Sequence, residues 1–184
     1  MKQFCIIIIF IFSYTCLSSQ TKIPATNPPK GGERKQMDKI INHSVVLKCS
    51  VHKAFEMFTV NELIESWLTK VAEVEPFIGG KYELFWEPDD RENNSTIGCK
   101  VTAIENDKFI SFEWRSPKQY KHFANNADPL THVVVFFIPC GENTEVHMIH
   151  SGWRSSSEWE EARQWQDRAW SGVLKALEDR FNGN

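Results

Sequence analysis

His147 and His150, in the segment Thr144–Trp153, are the side chains whose types and spacing most directly suggest chemistry. Two imidazoles three residues apart could bind one metal ion, and His150 followed by Ser151 could be the base and nucleophile of a hydrolase. The alternation of polar and apolar residues around them instead predicts a β-strand. Residues that are adjacent or three apart on a strand point to opposite faces, so neither pair can act on one ion or one substrate.

Two interpretations remain for His150, which the alternation places on one strand face with Val146 and Met148. It is either a hydrogen-bonded core histidine that fixes the strand end, or a cavity group that contacts a ligand or transfers protons at a near-neutral pKa. A thiol dyad of Cys99 with His150 rests on residue types alone. The sequence has no His-Glu-x-x-His, Cys-x-x-Cys or Gly-x-Ser-x-Gly motif. We therefore expect no metal ion, no cofactor and no catalytic residue.

The aromatic content also bears on function, because the 184-residue chain contains 13 Phe and 7 Trp. Trp114 shares a predicted strand face with Ile110 and Phe112. Such a number of rings indicates either a large aromatic core or a pocket walled by rings, in which a few polar groups orient a guest. The residues alone leave both interpretations open.

Residues 1–19 are typical of a secretory signal, with Lys2, the apolar run Phe4–Phe12 and small residues that end at Ser19. The run is too short to span a bilayer, and no later apolar run approaches that length, so we expect no integral membrane span. We expect cleavage after Ser19 and export to the periplasm or the medium. Lipid attachment at Cys16 is the less favoured alternative, because Ser-Tyr-Thr is a poor context for it.

The charge of the chain limits the class of partner, and its cysteine count limits the possible disulfides. Removal of the signal takes away one lysine and no acid, so the net charge of −3 becomes −4. No basic stripe with interleaved aromatics is present, which argues against a nucleic-acid partner. Cys49, Cys99 and Cys140 remain. Because their number is odd, they form at most one intramolecular disulfide, or they are three small buried hydrophobic residues.

The chain organisation predicts a flexible linker at residues 20–38, rich in Pro, Gly and charge, and one domain at residues 39–182. Within that domain, apolar periodicity predicts short helices at Ser50–Thr59 and Val60–Leu68, capped by Ser50 and Asn61. The predicted strands are Ile41–Cys49, Lys81–Glu87, Ser95–Glu105, Lys108–Arg115, Thr131–Pro139 and Thr144–Trp153, with a long loop at Ser116–Leu130.

The C-terminal segment predicts a long amphipathic helix. Ser157 and Glu160 form a capping box, and Gly183 follows the predicted end. At 1.5 Å per residue, such a helix is about 37 Å long and can cover a whole sheet. Hairpin connections require antiparallel strands. We therefore predict an α+β fold in which a curved antiparallel sheet of about six or seven strands grips a long C-terminal helix, with two short helices after the first strand.

Several motifs, taken in order, resemble one known family over about residues 40–181. These motifs are Ala54-Phe55, Trp67, Gly79-Gly80-x-Tyr82, Gly98, Ile110-Ser111-Phe112-x-Trp114, Thr144-Glu145-Val146, His150-Ser151-Gly152-Trp153, and Trp170 with Leu174 and Leu177. Their order resembles the SRPBCC (START-like, helix-grip) superfamily and, within it, the homologues of the heat-shock-protein-90 ATPase activator. The predicted export and the length of the loop Ser116–Leu130 depart from that pattern.

The resemblance implies a cavity between sheet and helix that holds a small, largely apolar molecule. The side chains expected to contact such a ligand are Trp67, Tyr82, Phe112, Trp114, Val135, Phe137, Met148, His150, Trp153 and Trp170. We expect a monomeric or weakly dimeric binding protein rather than an enzyme. Two alternatives stay open: an enzyme of the cyclase or hydrolase type with His150 as acid/base, and a protein-interaction or stress-response module without a ligand.

Overall fold

The computed structural model describes residues 39–183, so the predicted signal at 1–19 and linker at 20–38 lie outside the described residues. In chain order the elements are β1 Ile41–Leu47, α1 Val51–Glu56, α2 Asn61–Glu65, β2 Val71–Val74, β3 Tyr82–Phe85, β4 Val101–Glu105, β5 Phe109–Trp114, α3 Lys121–Ala124, β6 Thr131–Cys140, β7 Asn143–Ser151 and α4 Ser157–Asn182. Within this described part, none of the helices combines the length and the apolar character needed to cross a bilayer.

The strands form a five-stranded antiparallel sheet in the order β1-β7-β6-β5-β4 and a two-stranded sheet of β2 and β3. Isolated bridges from Lys81 to Lys100 and from Phe85 to Ser95 join the β3 region to the segment that leads into β4. The prediction of an α+β fold with six or seven strands and a long final helix is confirmed. Strand β2 was not predicted, because four residues are too few to show a clear alternation.

Strand β7 shows the alternation that the sequence predicted, with Thr144, Val146, Met148 and His150 buried and the residues between them partly exposed. His147 faces the other way, and its Nε2 lies 2.7 Å from Oδ1 of Asn42 on β1. The two histidines therefore lie on opposite faces of the sheet, as strand geometry requires.

Helix α4 has 26 residues and buries one face against the sheet. Its N-cap is Ser156, whose hydroxyl accepts a hydrogen bond from the Trp159 backbone N–H at 3.3 Å, so the prediction of Ser157 as the capping residue was wrong by one position. Gly183 ends the helix with a φ of 73°, in the left-handed conformation that glycine adopts without strain. The buried residues of the helix are Trp159, Ala162, Gln166, Trp170, Leu174 and Leu177.

Strand β1 lies at one edge of the five-stranded sheet, and the end of α4 packs against it. Glu178 accepts a hydrogen bond from the Val46 backbone N–H at 3.1 Å, and Asn182 accepts one from the Lys48 N–H at 3.2 Å. The Asn182 side-chain amide also donates to the Val46 carbonyl at 3.0 Å. Side chains of α4 thus satisfy backbone groups that an outer strand would otherwise leave to water.

Two local expectations need correction. Asn61 does not cap α2; its side-chain oxygen instead accepts a hydrogen bond from the Val74 backbone N–H at 2.8 Å, which ties the helix to β2. The predicted strand Ser95–Glu105 is regular only over β4, because residue Gly98 has a φ of +80° and interrupts the extended chain. The long loop at Ser116–Leu130 contains the short helix α3.

Candidate ligand cavity

A cavity of about 420 Å³ lies where one face of α4 meets the ends of β3 and β5 and the loops that follow them. This volume falls within the range of about 300–1,000 Å³ that is common for small-molecule sites. The lining residues are Trp86, Glu87, Asn94, Ser95, Trp114, Arg115, Pro117, Gln119, Trp165, Gln166, Ala169, Trp170 and Val173.

Four tryptophans form much of the wall: Trp86, Trp114, Trp165 and Trp170. The ring centroids of Trp114 and Trp170 are 4.8 Å apart, and those of Trp86 and Trp114 are 5.8 Å apart. Three of the four indole N–H groups are hydrogen-bonded within the protein: Trp86 donates to the Leu68 carbonyl at 2.8 Å, Trp114 to the Gln166 side chain at 3.3 Å and Trp170 to His150 at 3.1 Å. These bonds fix the rings, so the wall is largely preformed.

On α4 the cavity wall follows a regular spacing. Trp165, Ala169 and Val173 are four residues apart and therefore lie on one side of the helix. Ala169 carries a single methyl group between two larger side chains, and this leaves space beside the helix. Gln166 is only 4% exposed, and its amide oxygen accepts the Trp114 hydrogen bond.

His150 lies beneath the tryptophan wall and is fully buried. Its Nδ1 accepts the hydrogen bond from Trp170, so the proton of the neutral ring is on Nε2, for which no partner is found among the described residues. Burial, and to a lesser extent the charge of His132, lowers the pKa of His150 from 6.5 to about 3. The imidazole is therefore neutral near pH 7, which favours the core interpretation over the acid/base one.

The cysteines do not supply a nucleophile in this region. Cys99 is 1% exposed, and burial raises the pKa of its thiol to about 12. Because the thiolate is the reactive form, this thiol is inert near neutral pH. Cys49, Cys99 and Cys140 are all free in the structure, with Cys140 exposed at the β6–β7 turn and Cys49 half-buried.

The comparison with known families decides the relationship of the chain. The model of the family described as activator of Hsp90 ATPase homolog 1-like protein matches residues 48–182. The chain belongs to this family. The match covers the described fold from the residue after β1 to the end of α4, and it confirms the resemblance found in the sequence motifs. A comparison with curated protein sequences finds no match.

Solved structures show the same fold at low sequence identity. A Mesorhizobium loti protein of known crystal structure has 19% sequence identity to this chain and a TM-score of 0.61. The match covers 77% of this chain and 95% of that protein. The Aha1 dimer from Colwellia psychrerythraea, known from a solution structure, has 18% sequence identity and a TM-score of 0.60. The match covers 78% of this chain and 96% of that chain. An HSP90 activator from Plasmodium falciparum has 20% sequence identity and a TM-score of 0.50. The match covers 79% of this chain and 89% of that chain.

In this member of the activator of Hsp90 ATPase homolog 1-like family, two of the ten predicted ligand contacts, Trp114 and Trp170, line the cavity. The others are not among its lining residues. Tyr82, for example, is fully buried, stacks on Phe112 with centroids 3.6 Å apart and donates to the Phe58 carbonyl at 3.3 Å. The remaining predicted contacts that pack elsewhere are Trp67, Val135, Phe137, Met148, His150 and Trp153.

Most of the residues that line the cavity were not predicted from the sequence. The spacing of Trp165, Ala169 and Val173 was a usable signal, because a small residue between large ones on one helix face indicates a recess. Trp86 and Arg115 gave no such signal. The predicted strands include both residues, but the observed strands end one residue earlier, where alternation no longer assigns a face. The aromatic rings therefore pack in the core in one part of the domain and line a cavity in another.

Proposed function

We propose that the domain binds a small, largely apolar molecule in the cavity between α4 and the sheet. The observation that carries this proposal is the preformed wall of four tryptophans around about 420 Å³. Filling a rigid apolar recess with a ligand removes apolar surface from water without a large ordering cost. No reaction is included in the proposal, because the buried His150 is held neutral and the Cys99 thiol is protonated near neutral pH.

A cavity-filling substitution tests the proposal. Wild-type protein is expected to bind the neutral fluorescent probe N-phenyl-1-naphthylamine in a saturable way, detected by enhanced probe emission. Ala169→Phe places a ring in the recess between Trp165 and Val173 and is expected to weaken binding by about tenfold or more. Ala176→Phe is the matched control, because Ala176 is on the same helix, exposed and outside the lining.

The result is informative when circular dichroism shows that both variants are folded. Equal probe affinity for wild type and Ala169→Phe would show that the probe binds elsewhere, and absence of binding to the wild type would refute the proposal. Native mass spectrometry of protein purified from its source complements the test, since a co-purifying mass would identify the natural ligand.

We also propose that the domain acts outside the cytoplasm, supported by the signal-like composition of residues 1–19. The mature chain is expected to begin at Gln20 in the exported fraction, as measured by N-terminal sequencing after cell fractionation. A chain that retains Met1 and remains in the cytosol would contradict export. In that compartment the activity named for the Plasmodium falciparum relative, activation of HSP90, would become the proposal to test next.

A further inference from the structure

Arg115 is the only basic side chain among the residues that line the cavity, and Glu87 is the only acidic one. Arg115 follows the last residue of β5 and is half-buried. One of its terminal guanidinium nitrogens lies 3.5 Å from the position that a Cβ on Gly98 would occupy. The cavity wall thus combines apolar rings with one fixed positive charge.

The guanidinium of Arg115 has no partner within the described residues. Its Nε is enclosed and donates no hydrogen bond to any oxygen of the described residues, and none of the ion pairs of this region includes it. Other arginines differ: Arg163 makes two bonds to Glu160 at 3.1 and 2.9 Å, and Arg91 pairs with Glu73 at 2.6 Å. An unpaired guanidinium at the wall of a recess is costly in the free protein, because burial removes part of its hydration.

The neighbouring carboxylates are engaged elsewhere. Glu83 accepts a hydrogen bond from the Gly98 backbone N–H at 2.8 Å, and Glu113 accepts one from the Lys100 N–H at 3.1 Å. Glu87 is exposed and accepts from the Asn94 amide at 3.1 Å. None of these three side chains forms an ion pair with Arg115, so the protein leaves the positive charge for another group.

We propose that Arg115 binds the carboxylate of a ligand whose aromatic or apolar body lies among the four tryptophans. This inference rests on the proposed function of the cavity and adds the chemical class of its ligand. A guanidinium matches the planar, singly charged carboxylate with parallel N–H bonds. A doubly charged phosphate is a poorer match, because the site offers one positive charge and has the Glu87 carboxylate in the same lining.

Isothermal titration calorimetry with three probes of similar size tests the assignment: 2-naphthoate, its neutral amide 2-naphthamide, and 2-naphthyl phosphate. Wild-type protein is expected to bind 2-naphthoate about tenfold to a hundredfold more tightly than 2-naphthamide, because only the acid forms charge-assisted hydrogen bonds. Arg115→Gln is expected to reduce the affinity for the acid to that for the amide. Arg115→Lys is expected to restore part of the preference, since it keeps the charge but not the planar fork.

Arg168→Gln is the matched control, because it removes the same charge from an exposed position on α4 outside the lining. Its preference for the acid is expected to equal that of the wild type. If the wild type binds neither the acid nor the amide, the proposed function fails. If it binds both equally, or if Arg115→Gln and Arg115→Lys both keep the wild-type preference, the cavity binds ligands but the role of Arg115 is refuted. Tighter binding of 2-naphthyl phosphate than of 2-naphthoate would overturn the carboxylate assignment.

Discussion

Replacing Trp170 with alanine is expected to lower the free energy of unfolding by about 3–5 kcal/mol. Trp170 is 1% exposed, its ring packs on Trp114 with centroids 4.8 Å apart, and its N–H donates to His150. The substitution therefore removes a large buried ring and leaves the Nδ1 of His150 without a donor. Urea unfolding followed by far-ultraviolet circular dichroism measures the change.

Two further variants separate the contributions of Trp170. Trp170→Phe keeps an aromatic ring but removes the N–H, so a loss of about 1–3 kcal/mol is expected from the unpaired acceptor on His150. Trp165→Ala removes an indole from the same helix and the same cavity wall, but Trp165 is half-buried and its loss is expected to be smaller. If Trp170→Ala destabilises the protein no more than Trp165→Ala, the bond to His150 and the ring packing do not stabilise the fold as described.

Acid is expected to destabilise the protein through His150. Burial lowers the pKa of its imidazole to about 3 in the folded state, against 6.5 when it is exposed. Between these values the unfolded chain binds a proton that the folded chain does not, so this stabilising contribution is complete above about pH 6.5 and is lost progressively toward pH 3. At about 1.4 kcal/mol for each pH unit, the full loss is on the order of 5 kcal/mol.

The pH dependence is checked by comparing the free energy of unfolding across this range in three proteins. His150→Gln removes the titrating group and is expected to give a flatter profile than the wild type. His122→Gln is the control, because His122 is exposed on α3 and contacts only its neighbour Phe123 among the ring pairs. Carboxylates such as Glu160 are present in all three proteins, so their contribution to the pH profile cancels in the comparison. A His150→Gln profile parallel to that of the wild type would contradict the burial of a neutral imidazole.

The fold could be predicted from the sequence because its main signals are local. The alternation around His150 assigns each β7 side chain to a face, and Gly183 marks the end of α4. The cap was misplaced because Ser156 and Ser157 are adjacent and both chemically suitable, and only the backbone path distinguishes them. Such errors shift a boundary by one residue and leave the topology unchanged.

The cavity could not be located in this way, because whether a ring fills the core or lines a space depends on its neighbours in three dimensions. Tyr82 and Phe112 are both among the predicted ligand contacts, but they stack on each other and fill the interior. Trp114, on the same strand face as Phe112, instead lines the cavity, together with the small side chain of Ala169 on α4. The alternation of residues along a single strand predicts neither the stacking of Tyr82 on Phe112 nor the position of Trp114 at the cavity.

The hydrogen bonds between the side chains of Glu178 and Asn182 and the backbone of Val46 and Lys48 also bear on how copies of this chain can associate. An open sheet edge invites strand addition from another molecule, which leads to continuous intermolecular sheets and to aggregation. Here the Val46 N–H and C=O and the Lys48 N–H are already occupied, so a strand that added at this end of β1 would first have to displace the last turn of α4. Helix α4 therefore protects this end of the edge from strand addition as well as covering the core.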